Sequence, residues 1–274
     1  MDEYLLFAAF ALFVLFLIPG RHRPYAGIGG WLAMSLYLFA EIPYFLSINN
    51  FLYPTLALLS IPFLYVTAKR LFAGDEHITH LTRAAAVAVL IYLPFAYTAL
   101  GPWLIQAVID QIGWCLSALG VAYTMPEMDM IGRNGLKVQI ILGCTGIQSI
   151  AIMLGVAAAV PSTLRQKALA SLLIVPTIYL LNIGRNVFVI LAYTGQWFPY
   201  LPEIASNGEY GYESFFWAHN VLCELGALVA LIVIAYALFI IMPGLAAMAD
   251  GLYRAFRDDL EGAVARPQGS DLER

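Results

Sequence analysis

Three short polar segments interrupt an otherwise apolar chain: Leu142-Gly-Cys-Thr-Gly-Ile-Gln-Ser149, Asn182-Ile-Gly-Arg-Asn186 and Trp217-Ala-His-Asn-Val-Leu-Cys-Glu224. Polar groups within membrane spans are costly, so each is a functional candidate with a partner to be named. Cys144 stands between Gly143 and Gly146, with Gln148 and Ser149 one turn on; Asn182 and Asn186 flank Arg185; Asn220, Cys223 and Glu224 follow His219. A cysteine, an arginine and a histidine brought together support thiol acyl transfer. The thiolate is the attacking species, and a cysteine's ordinary pKa of about 8.5 falls at a helix N-terminus or beside a cation. The spacing predicts that Cys144 opens a helix and that Arg185 is the neighbouring cation. His219 then takes the thiol proton or gives one to the leaving amine, while Arg185 or backbone N–H groups near Gly143 and Gly146 stabilise the oxyanion.

Each residue type also has a commoner structural role. A cysteine in an apolar helix is usually a small packing residue, and Cys115 and Cys223 are read that way. An arginine near a membrane boundary can simply snorkel to phosphates, but Asn182 and Asn186 one turn to either side point to a built polar site. Glu224, deep in a span, is expected to pair with a cation or hydrogen-bond to an amide. The odd number of cysteines and the lack of CxxC spacing exclude a disulfide framework or a zinc signature. His219 and Cys223 at i and i+4 are half a metal site with no second ligand pair, so neither metal nor cofactor is expected.

The elements that must position these groups are membrane helices. Of 274 residues, 61% are hydrophobic and 12% charged, whereas soluble domains sit near about half apolar and a quarter charged. The net charge of −4 and the scatter of basic residues in small loop clusters argue against nucleic-acid binding. Uncharged runs near the length of about 20 residues needed for a crossing fall at 4–19, 27–47, 52–68, 84–100, 145–160, 168–185 or a little beyond, and 215–242. The expected fold is therefore an all-α polytopic membrane protein of seven transmembrane helices. The run 102–121, with Gln106, Asp110 and Gln111 among its apolar residues, reads as an interfacial amphipathic helix, with an eighth span as the alternative. Gly27, Gly29 and Gly30 suit close helix packing. Basic residues follow spans one (Arg21, Arg23), three (Lys69, Arg70, Arg83), five (Arg165, Lys167) and seven (Arg254, Arg257). Cytoplasmic loops are enriched in Lys and Arg, which puts the N-terminus outside and the C-terminus in the cytoplasm of a multi-pass cell-membrane protein.

Helix rise brings the three segments to one level. Cys144 lies about 24 Å from Val160, Arg185 about 25 Å from Ala168 and His219 about 34 Å from Met242 at 1.5 Å per residue, so all three reach the extracytoplasmic boundary if the helices pack together. Asn134-Gly135 followed by the alternation Leu136, Val138, Ile140 predicts a small extracytoplasmic β-hairpin just before Cys144. After Met242, Leu252, Phe256 and Leu260 recur every four residues among charges. The expected organisation is a membrane enzyme domain over 1–244, with core motifs at 142–224, and a cytoplasmic amphipathic helix and disordered tail over 245–274.

The three motifs in this order, within roughly residues 80 to 242, resemble the exosortase and archaeosortase family. The resemblance implies a membrane-embedded transpeptidase whose Cys, Arg and third basic residue match Cys144, Arg185 and His219. It also implies the substrates: surface proteins such as S-layer glycoproteins, bearing a C-terminal signal of a Pro-Gly-Phe motif, a hydrophobic helix and a basic cluster. The segment is removed and the new C-terminus passes, through a Cys144 thioester, to an amine-bearing membrane lipid. Some archaeal members use Arg at the third position, and no Arg occurs here between Arg185 and Arg254. The rival readings are a cysteine protease that only hydrolyses the same tail, a transporter in which Arg185 and Glu224 bind an ion or solute, and a lipid-handling enzyme. The transporter ranks below because the polar clusters lie at one edge and no internal repeat is evident.

Overall fold

The computed structural model describes residues 2–47 and 50–264. In chain order its elements are α1 (Asp2–Phe16), α2 (Arg23–Ala40), α3 (Ile42–Ser47), α4 (Leu52–Phe72), α5 (Glu76–Tyr97), α6 (Leu100–Ala118), strands β1 (Met130–Arg133) and β2 (Leu136–Gln139), α7 (Ile147–Ala159), α8 (Leu164–Thr194), α9 (Pro202–Ala205), α10 (Tyr212–Phe215), α11 (Glu224–Ile241) and α12 (Pro243–Val264). A 3-10 turn over Leu142–Thr145 precedes α7, and a π-helical stretch over Phe216–Cys223 joins α10 to α11. The tail expected to be disordered, 265–274, lies outside the described residues. The chain forms two compact units: Met1–Ala86 with Ala159–Pro161 and Pro243–Arg274, and Val87–Ala158 with Ser162–Met242.

In the first unit, small residues on α2 let α1 approach closely. A Cβ on Gly27 would stand 2.9 Å from Phe16 Cδ2, and one on Gly30 3.0 Å from Phe13 Cδ1. Phe13 packs edge-to-face on Trp31, and Trp31 on Phe63, with centroids 5.0 and 4.8 Å apart. Dispersion contacts of this kind, not a drive out of water, hold helices together where the alternative neighbour is lipid. The α12 helix is tied to α4 by charge: the buried Asp259 carboxylate accepts from Lys69 Nζ and Arg70 Nε, both at 2.6 Å.

The second unit is built around one helix face. Val108, Ile109, Ile112 and Leu116 of α6 follow helical spacing and bury against Ile183, Val187 and Ile190 of α8, with Ile131, Val138 and Ile140 of the hairpin segment between them. The expected hairpin is present. Asn134 and Gly135 take positive φ of 53° and 80°, the two-residue turn that matches strand twist, and Ile131 pairs with Val138 across it. Its tip is pinned to the end of α8, Arg133 Nη1 donating to Thr194 Oγ1 at 3.1 Å and Asn134 Nδ2 to the Thr194 carbonyl at 2.9 Å.

The helices depart from the expected spans in a definite way. Among the described residues four segments are long and apolar enough to cross a membrane: Leu52–Phe72, Glu76–Tyr97, Leu164–Thr194 and Tyr212–Ile241. They correspond to the expected runs 52–68, 84–100, 168–185 and 215–242; length and composition of the described helices do not establish the expected count of seven or eight. The run 27–47 breaks between α2 and α3 at Glu41, where Pro43 lacks an N–H and its ring opposes the carbonyl four residues back. The first and fifth runs form the shorter apolar helices Glu3–Phe16 and Ile147–Ala159.

Asp259 gives the first unit an acid sensitivity. The hydrogen bond from Arg70, reinforced by Lys69, holds its carboxyl below the usual carboxylate range. A depressed folded-state pKa contributes stability above the ordinary value of about 4, and that contribution is lost as pH falls through the folded value. In detergent at pH 7, Asp259→Asn should cost about 1 to 2 kcal/mol, the pair being buried at Asp259 but half-exposed at Lys69. As pH falls below about 4 the wild-type and variant melting curves should draw together, meeting once the pH is under the depressed folded-state value; a constant gap would refute the linkage.

Candidate active site

Cys144 sits in the 3-10 turn Leu142–Thr145, its N–H bonded to the Ile141 carbonyl at 2.8 Å. Gly146 follows in the left-handed region, φ 79°, where a side chain would be strained. That residue redirects the chain, so α7 begins at Ile147 and Cys144 precedes the helix instead of opening it. Thr145, fully buried, fastens the corner by donating to the Leu142 carbonyl at 2.7 Å. The turn is also held from α8. Asn182 Nδ2 and Asn186 Nδ2 both donate to the Cys144 carbonyl, at 2.6 and 2.7 Å, and a Cβ on Gly146 would stand 3.2 Å from Asn182 Cβ. Asn182, Arg185 and Asn186 are at i, i+3 and i+4 and share one helix face. Arg185 therefore projects from the same face that grips the cysteine's backbone.

Arg185 is interior to α8, which runs on to Thr194, not at the far end of its span as expected. Its Nη2 lies 2.8 Å from His219 Nε2, and His219 Nδ1 lies 2.7 Å from Asn220 Oδ1. The direction of this chain of bonds is fixed by chemistry. Arginine has only donors and stays charged, so Nε2 must be the acceptor. His219 is then neutral with its proton on Nδ1, donated to Asn220; an imidazolium would set two donors against each other. Phe215 stacks on the imidazole, centroids 4.9 Å apart at 11°, and Tyr193 backs Phe215 edge-on at 5.5 Å.

His219, Asn220 and Cys223 all lie in the π-helical stretch. Its i→i+5 winding is rare and occurs mostly as short bulges at functional sites. Fully buried Ala218 seats it on Val189 and Ala192 of α8. Cys223, expected as packing, lies partly buried against the cluster of Val189, Ala192 and Ala218. Glu224 is the first residue of α11. Gln148 turns to Tyr92, Nε2 to hydroxyl 3.4 Å, while Ser149 is half-buried in the first turn of α7 and Gly143 is exposed in the 3-10 turn. Sequence reasoning did not single out Thr145, which fastens the cysteine turn, Tyr92, which meets Gln148, or Phe215, which stacks on His219. Among the described residues no group of three His, Cys, Asp or Glu stands together to hold a metal.

The two amide bonds to the Cys144 carbonyl are a test of how the nucleophile candidate is held. Each is worth about 0.5 to 1.5 kcal/mol net. The double variant Asn182→Ala, Asn186→Ala should melt about 2 kcal/mol lower and alkylate faster at Cys144 with a maleimide, read by mass spectrometry against Cys115. Unchanged Cys144 labelling would mean that the turn stands without them.

Comparisons with known proteins bear on the family of the whole chain. A family model described as transmembrane exosortase matches residues 2–201; Cys144 and Arg185 fall inside that stretch and His219 beyond it. The chain is 33% identical over 253 residues to archaeosortase A of Natronomonas pharaonis, covering 85% of this chain and 80% of that one. It is 28% identical over 258 residues to archaeosortase A of Haloferax volcanii, covering 84% and 85%. No solved structure matches. With the family match across residues 2–201 and apolar helices long enough to cross a bilayer more than once, this chain belongs to the transmembrane exosortase family and is a multi-pass membrane protein.

Proposed function

We propose that the protein is a cysteine transpeptidase that removes the C-terminal sorting segment of surface proteins and passes the new C-terminus to a membrane lipid amine. The observation that carries the proposal is the convergence on one face of α8: Asn182 and Asn186 hold the Cys144 carbonyl while Arg185, between them, bonds His219. Cys144 attacks the scissile carbonyl carbon, and Arg185 swings from Nε2 to the developing oxyanion. That move frees Nε2 to take the thiol proton. The imidazolium gives the proton to the departing amine as the C–N bond breaks, leaving a thioester on Cys144. A lipid amine then displaces the thiol, forming an amide and restoring the cysteine. Asn220 keeps the Nδ1–H tautomer throughout, and Gly143, exposed beside the cysteine, leaves the backbone there open for the substrate.

The substrate is a surface protein, S-layer glycoproteins among them, with a Pro-Gly-Phe motif, a hydrophobic helix and a basic cluster. A tail whose basic end stays in the cytoplasm presents its motif at the outer boundary, which puts the active site on the extracytoplasmic side and residues 245–274, with α12, in the cytoplasm. The basic loops Lys69–Arg70 and Arg165–Lys167 support that orientation. The archaeosortase A relatives support the sorting role.

The test follows the size and lipid labelling of a surface protein carrying this tail in the native host. Cys144→Ala and Cys144→Ser should both retain the tail and lose the label, while Cys115→Ala processes normally. Normal processing by Cys144→Ala would sink the thiol mechanism; a cleaved but unlabelled product from the wild type would mean hydrolysis. His219→Gln keeps an acceptor for Arg185 but cannot carry a proton, so its rate should fall about 10²- to 10⁴-fold. Full activity in His219→Gln would remove the histidine from proton transfer.

A further inference from the structure

The hairpin beside Cys144 leaves one edge with unpaired backbone groups. In an antiparallel pair, alternate residues exchange hydrogen bonds with the partner strand, and those between turn N–H and C=O outward. On β1 both outward groups of Gly132 are taken by Thr124, N to O 2.8 Å in each direction. Gly132 and its partner Lys137 are thus the non-hydrogen-bonded pair, as are Met130 and Gln139 two residues on. On β2, Lys137 and Gln139 therefore aim their N–H and C=O away from β1. Among the described residues these four groups meet no backbone or side-chain partner, although the Gln139 side chain is engaged with Asp129 at 2.6 Å.

This edge is rigid and it leads to the cysteine. Val138 and Ile140 are buried between α6 and α8, which fixes the strand. Beyond Gln139 the chain passes through Ile140 and Ile141 directly into the turn that carries Cys144, at most about 18 Å of extended backbone. A peptide to be cut by a thiol must present an unwound carbonyl, since helical carbonyls are already bonded along the helix. Unwound backbone near a bilayer persists only where protein satisfies its polar groups. A strand edge with alternating donors and acceptors does so, and it reads backbone more than side chains.

We propose that the β2 edge at Lys137 and Gln139 binds the substrate segment flanking the cleaved bond as an added strand and leads it to Cys144. This rests on the proposed transpeptidase reading, and it adds where and in what conformation the substrate is held. Binding is by the backbone of both partners. The segment between the hydrophobic helix of the tail and the folded surface protein is the occupant, because only that segment is extended at the level of the cysteine.

The test uses the full-length protein in detergent and a synthetic tail peptide with the Pro-Gly-Phe motif, a hydrophobic helix and a basic cluster. Proline at 137 or 139 removes an outward N–H that the hairpin itself does not use, so the ladder survives. Lys137→Pro and Gln139→Pro should process the peptide about tenfold more slowly than Lys137→Ala and Gln139→Ala, which keep the backbone donors. Equal rates in the proline and alanine variants would overturn the proposal. A second measurement avoids variants of the hairpin: peptides N-methylated at successive amides, each carrying a benzophenone, are photo-cross-linked to Cys144→Ala, which reads binding without chemistry. Cross-linking to residues 136–139 should fall at every second methylated position and recover between; a yield indifferent to methylation would overturn the edge. If the alternation holds while the wild-type protein cleaves nothing, the catalytic reading falls and the edge stands.

Discussion

The carbonyl of Cys144 accepts two amide hydrogen bonds from α8, and the rest of the site is arranged around that grip. A carbonyl in a turn that has left regular helix must find donors elsewhere or carry a desolvation penalty of about 1 to 3 kcal/mol. Asn182 and Asn186 supply both bonds from successive turns of one helix. This constrains the register of α8 against the turn, and Arg185 is then set by covalent geometry alone. Gly146 is the other half of the constraint, because only a residue at ease with φ of 79° lets the chain turn so that α7 leaves without carrying the cysteine into its own hydrogen-bond ladder.

On the opposite side of Arg185 the π-helical stretch completes the arrangement. The π winding holds about one residue more per turn than an α-helix, and it sets the direction in which His219 leaves the helix to meet Arg185. The resting geometry assigns the imidazole a definite tautomer, since a donor-only neighbour leaves it no other choice. It also means that Nε2 is occupied until Arg185 has something better to bind. In the proposed mechanism a developing oxyanion is such a partner, which would make charge formation on the substrate and release of the base one event.

The hairpin joins the fold to the chemistry. Its inward face, Ile131, Val138 and Ile140, completes the core of α6 and α8, its tip is fastened to Thr194, and its last strand runs into the cysteine turn. The same three-residue alternation that buries one face leaves Lys137 and Gln139 outward. Rigidity on one side and unpaired backbone on the other are consequences of a single register.

Much of this was legible in the sequence, for physical reasons that are local. The Asn134-Gly135 pair, with alternating apolar residues after it, is enough to specify the hairpin, because few dipeptides tolerate two positive φ angles. Fixed rise per residue is why Cys144 and the Asn182 to Asn186 segment could be matched in height before any contact was known. Helical character followed from composition. Span lengths did not, because an apolar run records hydrophobicity and not continuity: Pro43 ends one helix inside such a run, Gly146 shortens another, and α8 continues past its polar cluster to Thr194. The tautomer of His219 and the packing of the π-helical stretch on α8 depend on residues far apart in the chain, 34 positions for Arg185 and His219, meeting across helices. Such meetings are decided by packing, and packing is a property of the folded chain, not of any segment of its sequence.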